Sequence, residues 1–156
     1  MASNDSFLTG YLPYLLRQAD QTLSAPFYAV LTRYGVARSE WRVLAVLQEL
    51  GELGVVDLAN EALSPQPTVT HALRRLEKRN LVTRKPGTND KRQRFISITP
   101  SGSELTATLI EEAKRLEVDA LAGARDLIEL AEQLRSLTAT VEASVSASES
   151  EAAHVG

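Results

Sequence analysis

The sequence predicts a mainly α-helical protein with one small β-hairpin, and three features carry that reading. Apolar residues recur at steps of three, four and seven along both ends of the 156-residue chain, the period of amphipathic helices. In the middle, two helical stretches precede a basic helix, and a short hairpin follows it directly. The segment Arg74 to Arg94 holds nine Lys or Arg against two acids, a net of +7, on a chain whose formal net charge is −3. Everything outside that segment therefore sums to −10.

The elements follow in chain order. Leu8, Leu12, Leu15, Leu16, Leu23, Phe27, Val30, Leu31 and Tyr34 mark a helical region over 7–34, with Pro13 and Pro26 near helix starts or kinks. Gly35 supplies a stop. Ser39 is the expected N-cap of a helix through Trp41, Val43, Leu44, Leu47 and Leu50. Gly51 and Gly54 bracket a turn, and a short helix is expected from about Val56 to Ala62, with Leu58, Ala59 and Leu63 inward. Ser64 followed by Pro65 then signals another helix start, because proline at the first helical position forfeits no hydrogen bond. In that helix Val69, Ala72, Leu73 and Leu76 share one face. Pro67, His71, Arg74 and Lys78 fall opposite, with Thr70 and Arg75 on the flanks.

Asn80 can adopt the left-handed conformation that closes a helix. Leu81 to Lys85 and Arg94 to Thr99 read as two strands joined by the turn-forming run Pro86-Gly87-Thr88-Asn89-Asp90, a hairpin with a cationic tip. Thr99-Pro100 repeats the cap-and-proline signal and opens a long helix carrying Leu105, Leu109, Ile110, Ala113 and Leu116. A last helix carries Leu127, Ile128, Leu130, Leu134, Leu137 and Val141. From Ser144 to Gly156 the chain has little to bury, and a frayed or disordered tail is expected over 144–156.

Composition narrows the function. No apolar run approaches the roughly 18–20 residues of a membrane span, and the first residues lack the layout of a secretory signal, so a cytoplasmic location and no membrane partner are expected. There is no Cys, hence no disulfide framework, thiol sensor or thiolate metal site. No catalytic residues, cofactor or metal are expected: of the two His, His71 lies on the basic helix and His154 in the tail, and no ligand-spaced cluster appears.

Helix, short helix, basic helix and hairpin in this order make a winged helix-turn-helix. A cationic island on an acidic protein is the footprint of a polyanion, and double-stranded DNA is the expected partner. An ordered set of motifs sharpens this: Asp57-Leu58-Ala59, Pro67-Thr68-Val69-Thr70, the run Leu76 to Arg84, Asn89-Asp90-Lys91-Arg92, and Ile98-Thr99-Pro100-Ser101-Gly102. These residues resemble the MarR-type transcriptional regulators. Two positions depart from that pattern, Asn80 where Gly is common and His71 where Arg is common on the recognition helix. The first departure keeps the fold, because both residues tolerate the left-handed conformation. The second bears on base preference.

Gln66, Thr68, Thr70 and His71 occupy the amino-terminal half of the basic helix, the part that usually reaches base edges. Arg74 and Arg75 suit either guanine or phosphate. The resemblance implies that Arg92 at the wing tip enters the minor groove and that Asp90 orients the wing. Arg84, Lys85, Lys91 and Arg94 are then phosphate contacts.

The resemblance also implies a homodimer built from a helical dimerisation lobe, 1–35 with 100–143, flanking the winged domain 36–99. The broad apolar faces of the end helices agree with it, and packing within one chain is the alternative. A small effector between lobe and winged domain is implied as well. Its expected lining is Tyr11, Tyr14, Arg17, Tyr28, Arg38 and Trp41, aromatic walls with guanidinium groups that suit an aromatic carboxylate or a larger aromatic thioester. The expected function is thus a ligand-released repressor of a pseudo-palindromic operator. The rivals are an architectural DNA protein without an effector and a helical protein whose basic patch holds a phosphorylated substrate.

Overall fold

The computed structural model describes residues 7–86, 94–123 and 127–154, with side chains up to 147. The chain forms two units, Met1–Ala120 and Leu121–Gly156. Its fold is the expected one, mostly helix with a small antiparallel sheet. In the first unit a short α1 (Phe7–Gly10) leads into α2 (Leu12–Arg33), with Pro13 in its opening turn. The single helical region expected over 7–34 is therefore interrupted at Tyr11, whose extended backbone precedes Leu12. Gly35, at φ +63°, ends the region as expected.

Helix α3 (Arg38–Leu50) begins two residues earlier than expected, with Ala37 rather than Ser39 at its N-cap. Glu40 reaches back, and its Oε2 accepts the Ala37 N–H at 2.7 Å. Then β1 (Leu53–Gly54) and α4 (Val55–Glu61) follow, where only a turn and a helix were expected. Helix α5 (Gln66–Lys78) starts after Pro65. Ser64 makes no capping bond to it; its hydroxyl donates to the Ala62 carbonyl at 3.1 Å. The hairpin is β2 (Val82–Pro86) and β3 (Arg94–Ile98), in register Val82 to Ile98 and Pro86 to Arg94. The other edge of β3 takes β1, with Leu53 opposite Ile96, so the sheet order is β1-β3-β2. A two-residue strand has no sequence period to betray it.

Helix α6 (Pro100–Leu121) opens as expected, Thr99 Oγ1 accepting the Gly102 N–H at 3.0 Å. In the second unit α7 runs Leu127–His154. A frayed or disordered tail was expected over 144–156; helix α7 is assigned as far as His154.

Two apolar clusters organise the first unit. One joins α3 (Val43, Leu44, Leu47), α4 (Leu58, Ala59), α5 (Val69, Ala72, Leu73, Leu76) and Ile96 of β3. The other joins α2 (Phe27, Val30, Leu31), Val36 and Leu109 of α6, with Trp41 packed against it. Each fully buried Leu or Val contributes about 1.5–3 kcal/mol. The apolar face of α5 therefore seats the helix and leaves its opposite face to solvent.

Candidate nucleic-acid interface

The interface is built on α5. Its four buried residues are Val69, Ala72, Leu73 and Leu76, the face expected from spacing. Gln66, Thr68, His71, Arg74 and Arg75 are exposed, and Thr70 is half-buried. A helix held along one stripe thus presents amide, hydroxyl, imidazole and guanidinium groups together on its outer side. That is the donor and acceptor set that reads base edges.

The hairpin stands beside it, tied by charge. Arg84 Nε donates to Glu77 Oε1 at 2.8 Å, joining β2 to the last turn of α5. On the other face of the strand, Lys85 Nζ lies 3.8 Å from Glu52 Oε2, and the Ser97 hydroxyl donates to the same carboxylate. Arg94 opens β3 and is exposed. Asp90, Lys91 and Arg92, expected at the wing tip, lie outside the described residues.

Behind α5 sits a group that sequence reasoning did not single out. Glu40 of α3 is fully buried, and Arg75 Nε lies 2.8 Å from its Oε1. The angle there is not that of a directed hydrogen bond, so the contact is a close ion pair. Arg79 Nη1 stands 3.9 Å from Oε2 and also donates to the Gly35 carbonyl at 2.8 Å. Three of the expected DNA-facing cations, Arg75, Arg84 and Lys85, therefore each face a carboxylate. Arg74 makes no ion pair among the described residues.

The six expected effector residues do not converge on one cavity. Arg17, Tyr28 and Arg38 line an open cleft of about 870 Å³ that also takes in Arg42, Ser64 and Thr68. There the Arg38 guanidinium lies 3.7 Å over the Tyr28 ring. Trp41 lines a second cleft of about 300 Å³ with Phe27, Ile110, Leu116 and Lys114. Phe27 and Trp41 meet edge to face at 4.9 Å. Tyr11 and Tyr14 line neither cleft; Tyr11 stacks on Phe7 at 4.7 Å. The first turn of α3 runs between the two clefts, Arg38 to one and Trp41 to the other.

The family model described as MarR family matches residues 36–93, from before α3 through the hairpin. The Escherichia coli homoprotocatechuate degradative operon repressor is 34% identical over 107 residues, 67% of this chain and 72% of the relative. The chain belongs to the MarR family. A MarR family transcriptional regulator from Silicibacter pomeroyi has a crystal structure similar to this one, with a TM-score of 0.77 and 31% identity over 88% of this chain and 99% of that one. The crystal structure of NadR in complex with 4-hydroxyphenylacetate gives a TM-score of 0.68 and 29% identity over 90% of this chain and 96% of that one.

This MarR-family chain is a transcriptional regulator by that kinship, and its homologues belong to a family of regulators rather than enzymes. Among the described residues no group of His or acids could hold a metal ion, and no helix is long and apolar enough to cross a membrane. Glu40 had a visible signal in the sequence. It lies four residues before Leu44 and seven before Leu47, so a carboxylate stands in register with the apolar stripe of α3.

Proposed function

We propose that the protein is a homodimeric repressor that reads a pseudo-palindromic operator with α5, straddles adjacent phosphates with the hairpin, and is released by a small aromatic acid. The observation that carries this reading is the exposed face of α5: Gln66, Thr68, His71 and Arg74 point outward while the apolar stripe seats the helix. Arg84, Lys85, Lys91 and Arg94 supply phosphate contacts, while Arg92 enters the minor groove and Asp90 orients the wing. The repressor sense is supported by the relative that is named a repressor. The operator is DNA, so the protein acts in the cytoplasm.

Dimerisation is assigned to the helical lobe 1–35 and 100–143. Leu8, Leu12, Leu15, Leu16 and Leu23 of α1 and α2 are exposed, as are Leu130, Leu134 and Val141 of α7. Exposed stripes of this kind suit a second copy of the chain.

The aromatic acid is assigned to the Trp41 cleft. The Phe27 and Trp41 rings give it an aromatic wall, and Lys114 a cation in a lining that also holds Glu117. The phenolic acid bound by NadR supports that ligand class. Trp41 follows Glu40, which grips α5, so a ligand that displaces Trp41 strains the seat of the recognition helix. Such a ligand shifts DNA affinity only by binding the DNA-free conformation more tightly.

Footprinting on DNA flanking the gene tests the reading. Two protected half-sites about 34–36 Å apart are expected, with sedimentation at twice the chain mass, and 4-hydroxyphenylacetate should release the DNA and alter the fluorescence of Trp41, the single Trp. Equal affinity for flanking and random DNA would instead favour an architectural role. No shift of any duplex at low salt would favour a phosphorylated small-molecule partner.

A further inference from the structure

We infer that Glu40 orders Arg75 for DNA reading, so that a carboxylate remote from the duplex sets part of the operator specificity. The inference rests on α5 being the DNA-reading helix. Glu40 is 0% exposed, and a carboxylate is costly to bury among apolar side chains unless it is answered by charge and hydrogen bonds. Three groups answer it here: the Ala37 N–H at 2.7 Å, Arg75 Nε at 2.8 Å and Arg79 Nη1 at 3.9 Å.

The two arginines differ in what else holds them. Arg79 donates to the Gly35 carbonyl at 2.8 Å and the Tyr34 carbonyl at 3.4 Å, so it fastens the end of α5 to the chain before α3 without needing Glu40. Arg75 has only Glu40 among the described residues, yet its side chain is 54% exposed. The guanidinium is thus held near Glu40 by a close ion pair at Nε, and about half of the side chain is exposed, one turn beyond His71. A planar donor fork held in this way loses less side-chain freedom on meeting a guanine edge than a free one does. The same pairing offsets its charge, which lowers its attraction to phosphates of any sequence. Both effects favour the operator over random DNA.

Glu40→Gln tests this in the full-length protein. Glutamine keeps the volume and an oxygen for the Ala37 N–H but removes the charge. Arg75 and Arg79 remain hydrated, so the urea midpoint should stay near the parent value. The ratio of operator to random affinity should fall on the order of tenfold. The freed guanidinium should also steepen the salt dependence of random-DNA binding by up to about one unit of slope. Combined with Arg75→Ala, Glu40→Gln should add no further loss of ratio. A Glu40→Gln protein with the parent ratio and slope overturns the inference, because a merely structural carboxylate would move only the midpoint.

Arg75→Lys gives the same test at an exposed position should the buried change prevent folding. It keeps the charge but loses the Nε fork, so the ratio should fall while the slope holds. A parent ratio for Arg75→Lys overturns the inference equally. A parent protein unable to distinguish any operator would sink the DNA reading itself, a separate outcome.

Discussion

Leu63 is the residue whose backbone and side chain disagree most. It sits in the turn between α4 and α5 at φ +48°, with 87% of its surface exposed. An L-residue with a Cβ is strained there by roughly 1–2 kcal/mol, and no burial of the leucine offsets that cost. Replacing Leu63 by Gly should therefore raise stability by about 0.5–1 kcal/mol, read as a higher urea midpoint with an unchanged slope. A lower midpoint would mean that the side chain has a packing role which the single chain does not show. Asn80 adopts the same conformation at φ +56°, as its position after the basic helix predicted. Side-chain pairing was less legible. A count along Arg74 to Arg94 gives +7, but Glu40 and Glu52 come from outside that stretch and meet Arg75 and Lys85 only once the chain is folded.

At the scale of elements, the apolar period and the turn residues predicted α3, α5, the hairpin and α6 close to where they lie. They also predicted which side of α5 is buried, because four apolar residues at helical spacing leave the helix one stable way to pack. Caps were harder, since a cap depends on the geometry of one side chain. Ser39 and Ser64 look like caps and are not, whereas Thr99 looks like one and is. The strand β1 was hidden because two residues show no alternation. Gly102 has a role that spacing alone does not reveal. A Cβ there would lie 2.0 Å from the Leu81 carbonyl oxygen and 2.9 Å from Ile98 Cγ1, so the first turn of α6 rests directly on the backbone that leads into β2. Gly102→Ala should destabilise the protein by about 1–3 kcal/mol through overpacking, although alanine is the better helix former by about 1 kcal/mol. Thermal melts of the variant check this, and an unchanged or raised midpoint would mean that α6 can lift from Leu81 without cost.

For the whole molecule, family membership supplies transcriptional regulation, while the structure supplies a seated helix with a polar outer face and a hairpin braced on either side by Glu77 and Glu52. The effector lining was the least legible part, because aromatic residues at helical spacing serve core and cavity alike: Trp41 packs on Phe27 and also lines a cleft. The central claim is that the start of α5 reads bases while the hairpin holds phosphates. Affinity titrations of His71→Ala and Lys85→Ala against operator and random duplexes, each at several salt concentrations, test it most directly. His71→Ala should compress the ratio of operator to random affinity and leave the salt slope nearly unchanged. Lys85→Ala should weaken both duplexes alike and reduce the slope by at most about one unit, less if the Glu52 pairing already offsets part of its charge. A Lys85 change that alters specificity, together with a His71 change that alters only salt dependence, would contradict this orientation of α5 on DNA.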